Sequence, residues 1–222
     1  LGKILLVLFV ALYIFGVSNF VTKGYISRSM NDEVSLIEEV KLENNITEIK
    51  IDESTTFVKV FYDDVENITI KYYNEFNNKL SYKKDNNTLI IESITQKVFD
   101  LFGVLDEPLS KVEIILPNDN KLEKLDVTLN AGYFDIVDYN GNLCLDIKGS
   151  SSTYAITRST LSSLVVDGYN LSIACEENNI SNINLKLKDG KAYFINNTVN
   201  EFTIENHLAD LVIQDANIET LN

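Results

Sequence analysis

A unit of about 19 residues recurs through the second half of this 222-residue chain. The segment LDVTLNAGYFDI, residues 125–136, predicts a short strand, a turn at Ala131-Gly132 and a second short strand, because apolar and polar residues alternate within it. The same pattern starts again after 18, 21, 19 and 19 residues, and one further start comes after another 19. The apolar residues that begin the units are Leu125, Leu143, Leu164, Ile183, Phe202 and Leu221.

This repeat favours a solenoid. Alternating strands also occur in β-sandwiches, where turns come about every 8 to 12 residues. A two- or three-segment unit that recurs whole instead stacks coil on coil, with equivalent apolar residues about 4.8 Å apart. We therefore predict an all-β parallel β-helix, or β-solenoid, with coils of about 19–21 residues and regular repeats over 122–222. Either a partner covers the sixth unit that begins at Leu221, or the natural chain continues.

Residues 47–116 are also rich in predicted strands, so we assign 47–222 to one solenoid domain. A helical insert is predicted at 95–107, ending before Pro108. It either caps the flank of the solenoid or contacts a partner or a membrane. Its apolar residues fall on one helical face, at Val98, Leu101, Phe102 and Leu105.

The N-terminal segment predicts membrane attachment. Residues 4–21 carry no charge, and about 18 helical residues span about 27 Å, close to the hydrocarbon thickness of a bilayer. We predict a transmembrane anchor over 1–23 and a charged linker or stalk over 24–46. A cleaved signal peptide is the alternative, although the run ends at 17–19 in a poor cleavage site. We expect a single-pass protein of the cell membrane with its C-terminal domain extracytoplasmic, since an N-terminal anchor commonly exports the rest of its chain.

Composition argues against several classes of function. The chain has 19 Lys and Arg against 33 Asp and Glu, and a net charge of −14 repels nucleic acid. Cys144 and Cys175 are too few for a disulfide framework, so we expect both to be unpaired, with a single disulfide between them as the alternative. The single histidine, His207, has no serine or cysteine placed to complete a triad. We predict a protein that is not an enzyme and needs no cofactor.

A pair of acidic residues keeps one enzymatic alternative open. Asp146 and Asp167 occupy equivalent positions when the units are aligned on their first apolar residues, which predicts carboxylates within about 5 Å. Lys186 and Glu205 continue the column, and Arg158 is the one arginine of the repeats. The acidic pair is a candidate metal site, and with the arginine it could serve a polysaccharide lyase. An ordinary solvated face of charged residues explains the same pattern.

Aromatic residues suggest binding instead. A β-solenoid presents flat faces on which aromatic rings can stack against sugar rings. Alternatively, each ring packs on the edge of the solenoid with only its hydroxyl in water. The candidate ligand-binding residues lie in or beside turns, or out of phase with the core, and are Tyr133, Tyr139, Tyr169 and Tyr193.

Residues 111–156, KVEIILPNDNKLEKLDVTLNAGYFDIVDYNGNLCLDIKGSSSTYAI, combine a strand ending in Leu-Pro, a short polar link and strand–small residue–Gly–strand repeats. In these features the chain resembles the bacterial adhesin-type β-strand-repeat domains, a family of unknown function, over roughly residues 45–222. The resemblance implies a parallel β-helix-like domain at the bacterial cell envelope, frequently behind a membrane segment and sometimes encoded near envelope-stress genes. No catalytic residues are known for that family.

The functional expectation is a membrane-anchored, extracytoplasmic β-solenoid that serves adhesion or another envelope interaction. Its expected partners are the membrane and either a cell-wall glycan or another envelope protein. The alternative is a subunit of an envelope-stress signalling complex that docks through the end of the solenoid.

Overall fold

The computed structural model describes residues 35–53, 56–74, 80–92 and 110–222. These residues form eighteen strands in two nine-stranded sheets. The strands are β1 (Leu36–Leu42), β2 (Glu48–Glu53), β3 (Thr56–Asp63), β4 (Ile68–Asn74), β5 (Ser81–Asp85), β6 (Thr88–Glu92), β7 (Ser110–Pro117), β8 (Lys124–Asn130), β9 (Tyr133–Val137), β10 (Asn140–Ser150), β11 (Thr153–Thr157), β12 (Thr160–Tyr169), β13 (Leu171–Glu176), β14 (Asn179–Leu187), β15 (Gly190–Ile195), β16 (Thr198–Asn206), β17 (Asp210–Gln214) and β18 (Asn217–Leu221).

From β8 onward, each coil contributes one strand to each sheet. Sheet A has the order β1-β4-β7-β3-β9-β11-β13-β15-β17, and sheet B has the order β18-β16-β14-β12-β10-β8-β2-β6-β5. Strands of the regular coils pair in parallel, whereas antiparallel pairs join β1 to β4, β4 to β7 and β5 to β6. Their alternate side chains point between the sheets and form one continuous apolar core. The predicted all-β solenoid with coils of about 19 residues is confirmed.

The register of the coils corrects the alignment of the repeat. Leu145, not Leu143, pairs with Leu125 and with Leu164, so the intervals are 20, 19, 19, 19 and 19 residues. The pairing of β10 with β12 has two register shifts, one between Asn140 and Leu143 and one between Leu143 and Cys144, so that Leu143 lies beside Leu161 and Leu145 beside Leu164. The first shift places extra residues in β10, and the second places one in β12, where Ser162 and Ser163 both lie between the buried Leu161 and Leu164.

Aromatic residues fill the core between the sheets. Phe134 and Tyr154 on neighbouring coils have ring centroids 6.1 Å apart, and Phe194 meets Phe202 at 4.8 Å in an edge-to-face arrangement. The buried hydroxyl of Tyr154 donates a 3.0 Å hydrogen bond to the carbonyl of Lys148. The core therefore satisfies the one polar atom of this ring, as a buried tyrosine requires.

A column of buried residues with polar side chains lines the corner that leads from sheet A to sheet B. Its members are equivalent on successive coils and are Tyr139, Ser159, Asn178 and Asn197. The last three side chains each accept a hydrogen bond from the backbone N–H of the column member on the preceding coil. These bonds satisfy amides that leave the sheet ladders where the chain turns.

The N-terminal boundary differs from the sequence expectation. Leu36–Leu42 forms β1, an edge strand of sheet A, although the sequence predicts a charged linker over 24–46. Val40 is buried, and Ile37 packs against the core, so a few apolar residues suffice to recruit this charged segment to the sheet. The predicted anchor and the helical insert at 95–107 lie outside the described residues. Within the described ranges, no helix is long and apolar enough to span a membrane.

Candidate functional site

The outward surface of sheet A is the least charged broad surface of the regular coils. Four of its strands, β9, β11, β13 and β15, expose twelve alternate side chains, of which three are charged. We call this surface the aromatic face, because tyrosines lie on both of its outer strands. Its outward residues are Tyr133, Asp135, Val137, Thr153, Ala155, Thr157, Ser172, Ala174, Glu176, Lys191, Tyr193 and Ile195.

The central row of the aromatic face runs across the strands. Asp135 pairs with Ala155, which pairs with Ala174, and Ala174 pairs with Tyr193. The two alanines lower the surface between taller side chains at either end. Three strand spacings separate Asp135 from Tyr193, a span of about 14 Å.

An aromatic pair bounds the β9 end of this face. Tyr133 pairs with Phe57 of β3, and their ring centroids are 5.0 Å apart with an interplanar angle of 31°. The Nζ of Lys111 lies 5.9 Å from the centroid of Phe57. Partial burial raises the pKa of the Tyr133 hydroxyl, and the charge of Asp135 adds to this effect. The ring is therefore held in place and its hydroxyl stays protonated at neutral pH.

Asp135 is the one charged residue of the central row. Burial raises the pKa of its carboxyl, and the charge of Lys59 opposes that rise only in part. Among the described residues, its carboxylate accepts no hydrogen bond and forms no salt bridge. It is thus a half-buried acceptor whose lone pairs are free for a ligand.

We expect the free energy of unfolding to depend on pH through the carboxyl of Asp135. A raised native pKa means that Asp135 binds its proton more tightly in the folded chain than in the unfolded chain. Its favourable contribution is complete below the ordinary pKa of about 3.9 and is lost as pH rises through the native value. Relative to the parent, Asp135→Asn should therefore become more stable as pH increases, as measured by urea unfolding from pH 3.5 to 7.

The control for this prediction is Glu176→Gln, which removes a negative charge from the exposed edge of the same face. A difference between Asp135→Asn and the parent that stays constant with pH would contradict it.

The outer face of sheet B is rich in paired charges. Lys124 lies 2.8 Å from Asp126 and 3.4 Å from Glu48, and Lys148 lies 3.2 Å from Asp146. Hydrogen bonds and the charge of Asp126 raise the pKa of Lys124. This face presents alternating charges to solvent, which agrees with the alternative of an ordinary solvated face.

The expected stacking of Asp146 on Asp167 is wrong. Asp146 pairs with Val165, and Asp167 pairs with Lys148 on one side and Lys186 on the other. The two-residue offset arises because the repeat alignment matches Leu143, instead of Leu145, with Leu164.

The acidic neighbour of Asp146 that the repeat alignment does not predict is Asp126, which pairs directly with it. One carboxylate oxygen of each aspartate is bonded to a lysine, and the other is buried without a hydrogen-bond partner. The described part of the chain contains no group of three or more acidic, histidine or cysteine side chains that could hold a metal ion.

The residues of the lyase alternative do not come together. Arg158 lies at the corner between β11 and β12, where its Nε and Nη2 donate bonds of 2.6 and 2.9 Å to Asp138. The bond to Asp138 raises the pKa of this guanidinium, which opposes a role as proton acceptor. His207 is exposed, with its Nε2 at 3.7 Å from Glu205.

The four candidate tyrosines separate into different environments. Tyr133 and Tyr193 lie on the aromatic face, as described above. Tyr169 is 56% exposed at the end of β12 in sheet B. Tyr139 is buried, because its ring stacks on Tyr62 with centroids 5.3 Å apart and its hydroxyl donates to the carbonyl of Leu122. The expectation that Tyr139 lies beside a turn holds, but its ring has no surface to offer a ligand.

The cysteines have unrelated environments. Cys144 and Cys175 are both free, as expected, with Cys144 exposed on sheet B and Cys175 buried in β13. Burial raises the pKa of the Cys175 thiol. Neither residue belongs to the aromatic face.

The solved structures similar to this chain include a putative cell adhesion protein from Clostridium sporogenes, which is 13% identical with a TM-score of 0.49, over 83% of this chain and 98% of that one. A putative adhesin from Bacteroides fragilis is also 13% identical, with a TM-score of 0.39 over 83% of this chain and 94% of that one. A putative lipid binding protein from Parabacteroides distasonis is 11% identical, with a TM-score of 0.34 over 86% and 98%. A comparison with curated proteins finds no match. The family model described as Toastrack DUF4097 matches residues 46–222, and the chain therefore belongs to this family.

Proposed function

We propose that this protein is a membrane-anchored, extracytoplasmic adhesion module that binds the cell envelope through its aromatic face. The observation that carries the proposal is the contrast between the two sheets. The outer face of sheet B pairs its charges with one another, whereas the aromatic face leaves tyrosine rings and hydroxyl groups partly exposed. Exposed apolar side chains that are grouped together and rimmed by polar residues mark interaction or ligand-binding sites. The aromatic face groups two tyrosine rings, Val137, Ile195 and two alanines among threonine and serine hydroxyls.

The anchor part of the proposal is supported by the uncharged run over residues 4–21. A single span would attach the solenoid to the membrane. A chain with a net charge of −14 is repelled by anionic envelope polymers unless divalent cations bridge the two. Direct binding should therefore be carried by uncharged chemistry.

The test is retention of the detergent-solubilised full chain on isolated bacterial cell wall, with and without calcium. A protein of matched acidic charge serves as the control. Saturable retention that is independent of calcium supports direct binding. Retention no greater than that of the control would overturn the proposal, and retention only with calcium would assign it to cation bridging rather than to the aromatic face.

A further inference from the structure

We propose that the aromatic face binds an uncharged oligosaccharide that lies across the strands, from the Tyr133 end to Tyr193. This inference rests on the proposed function, because it names the ligand class of the same surface. The face offers three contacts that sugars use together, namely aromatic rings, hydroxyl groups and an unpaired carboxylate.

The rings supply the stacking contacts. The electron-rich face of an aromatic ring attracts the positively polarised C–H groups that one side of a pyranose presents. Tyr193 stands at one end of the central row and Asp135 at the other. Tyr133, backed by Phe57, lies two residues before Asp135 on β9, in the adjacent row that begins with Thr153 on β11. A flat chain that rests on both rings runs diagonally over β11 and β13, where the side chains beneath it are the small residues Ala155, Ala174 and Ser172 and the threonine Thr153.

The polar contacts flank the same path. Thr153 and Ser172 are neighbours on one side of the alanines, and Thr157 lies on the other side. Their hydroxyls can both donate and accept. Asp135 adds a half-buried acceptor with no hydrogen bond from the described residues, and a carboxylate accepts strongly from sugar hydroxyls.

Charge selects against anionic ligands. The outward charges of the aromatic face are Asp135, Glu176 and Lys191, and the chain as a whole carries −14. An anionic sugar would approach an acidic protein, and the cation beside the central row, Lys59 of β3, pairs with Asp135 and is offset by its carboxylate. A neutral sugar meets no such repulsion.

The dimensions favour a short ligand over a second copy of the chain. Four strands span about 14 Å, and five residues along each strand span about 16 Å, so the face covers about 220 Å². A stable protein–protein interface buries about 800 Å² on each partner. The aromatic face by itself is thus too small for a stable dimer, which would have to extend onto β3 and β17, but it is long enough for a short oligosaccharide.

The experiment measures binding of the full chain, in mild detergent, to neutral tetra- to hexasaccharides of glucose, mannose, galactose and N-acetylglucosamine. A hexamer of galacturonic acid is the anionic comparison. We expect at least one neutral oligosaccharide to bind. Tyr193→Ala should raise its dissociation constant roughly tenfold, which corresponds to the loss of one aromatic contact. Ala174→Arg, which fills the path between the rings, should abolish binding. Tyr169→Ala removes an exposed tyrosine from sheet B and should leave the affinity unchanged.

Three outcomes would overturn the inference. They are no binding to any neutral oligosaccharide, equal or tighter binding to the galacturonic acid hexamer, and equal losses for Tyr193→Ala and Tyr169→Ala. Thermal unfolding of each variant checks that the solenoid remains folded. Cell-wall retention that survives Ala174→Arg would refute this ligand site while leaving envelope binding intact. Absence of retention by the parent chain would instead refute the proposed function itself.

Discussion

Asn178→Ala is expected to lower the free energy of unfolding by about 3 kcal/mol or more, because it leaves at least two buried backbone groups without partners. The Asn178 side chain accepts a 2.8 Å bond from the Ser159 N–H and donates a 2.8 Å bond to the Ile156 carbonyl. It also donates to Oδ1 of Asn197 at 3.0 Å. Asn178 therefore joins three coils, and alanine can replace none of these bonds.

Urea unfolding monitored by far-ultraviolet circular dichroism measures this loss. The matched control is Asn182→Ala, four residues further along the chain, where the side chain is exposed and makes only a 3.5 Å bond to the Ser162 carbonyl. We expect the control to change stability by no more than about 0.5 kcal/mol. Similar effects for the two variants would mean that water replaces the buried amide without loss.

The architecture could be predicted from the sequence because its signal is local. Alternation places Phe134 and Ile136 inward within a single strand, whatever the strand pairs with. The register of the coils could not be predicted in this way, since it depends on how many residues each corner contains. The irregularity after Asn140 contains Asn140-Gly141-Asn142, which signals a turn but not how many positions the pairing skips. The apolar pattern therefore matches Leu143 with Leu164 rather than with Leu161. Every outward pairing derived from this match is then shifted by two residues.

The candidate site depends on that register more than the fold does. Tyr193 stands out in the sequence as an aromatic residue out of phase with the core. Ala155 and Ala174 carry no chemical signal, and they matter only because the coils bring them into one row with Asp135. Tyr139 shows the opposite effect, since a residue beside a turn becomes buried when it stacks on Tyr62 from a distant part of the chain.

Gly149→Ala is expected to lower the free energy of unfolding by about 4 kcal/mol or more, which is a large effect for a single methyl group. Gly149 has φ of 142°, in a region that residues with a side chain rarely adopt. A Cβ at this position would lie 1.9 Å from the backbone carbonyl oxygen of Leu129 on the neighbouring coil. Since backbone cannot rotate aside as a side chain can, β8 and β10 must separate where they meet the corner.

The adjacent substitution Ser150→Ala is the control, because it removes only an exposed 3.1 Å bond to Asn130 and should cost about 0.5 kcal/mol. Gly190→Ala provides an independent repeat of the test, since its φ is 111° and its Cβ would lie 2.0 Å from the carbonyl oxygen of Leu171. Both glycines let one coil pass close to the next at the corner that leads into sheet A. If the free energy of unfolding of either alanine variant lay within about 1 kcal/mol of the parent's, the coils at that corner would have to be further apart than this register requires.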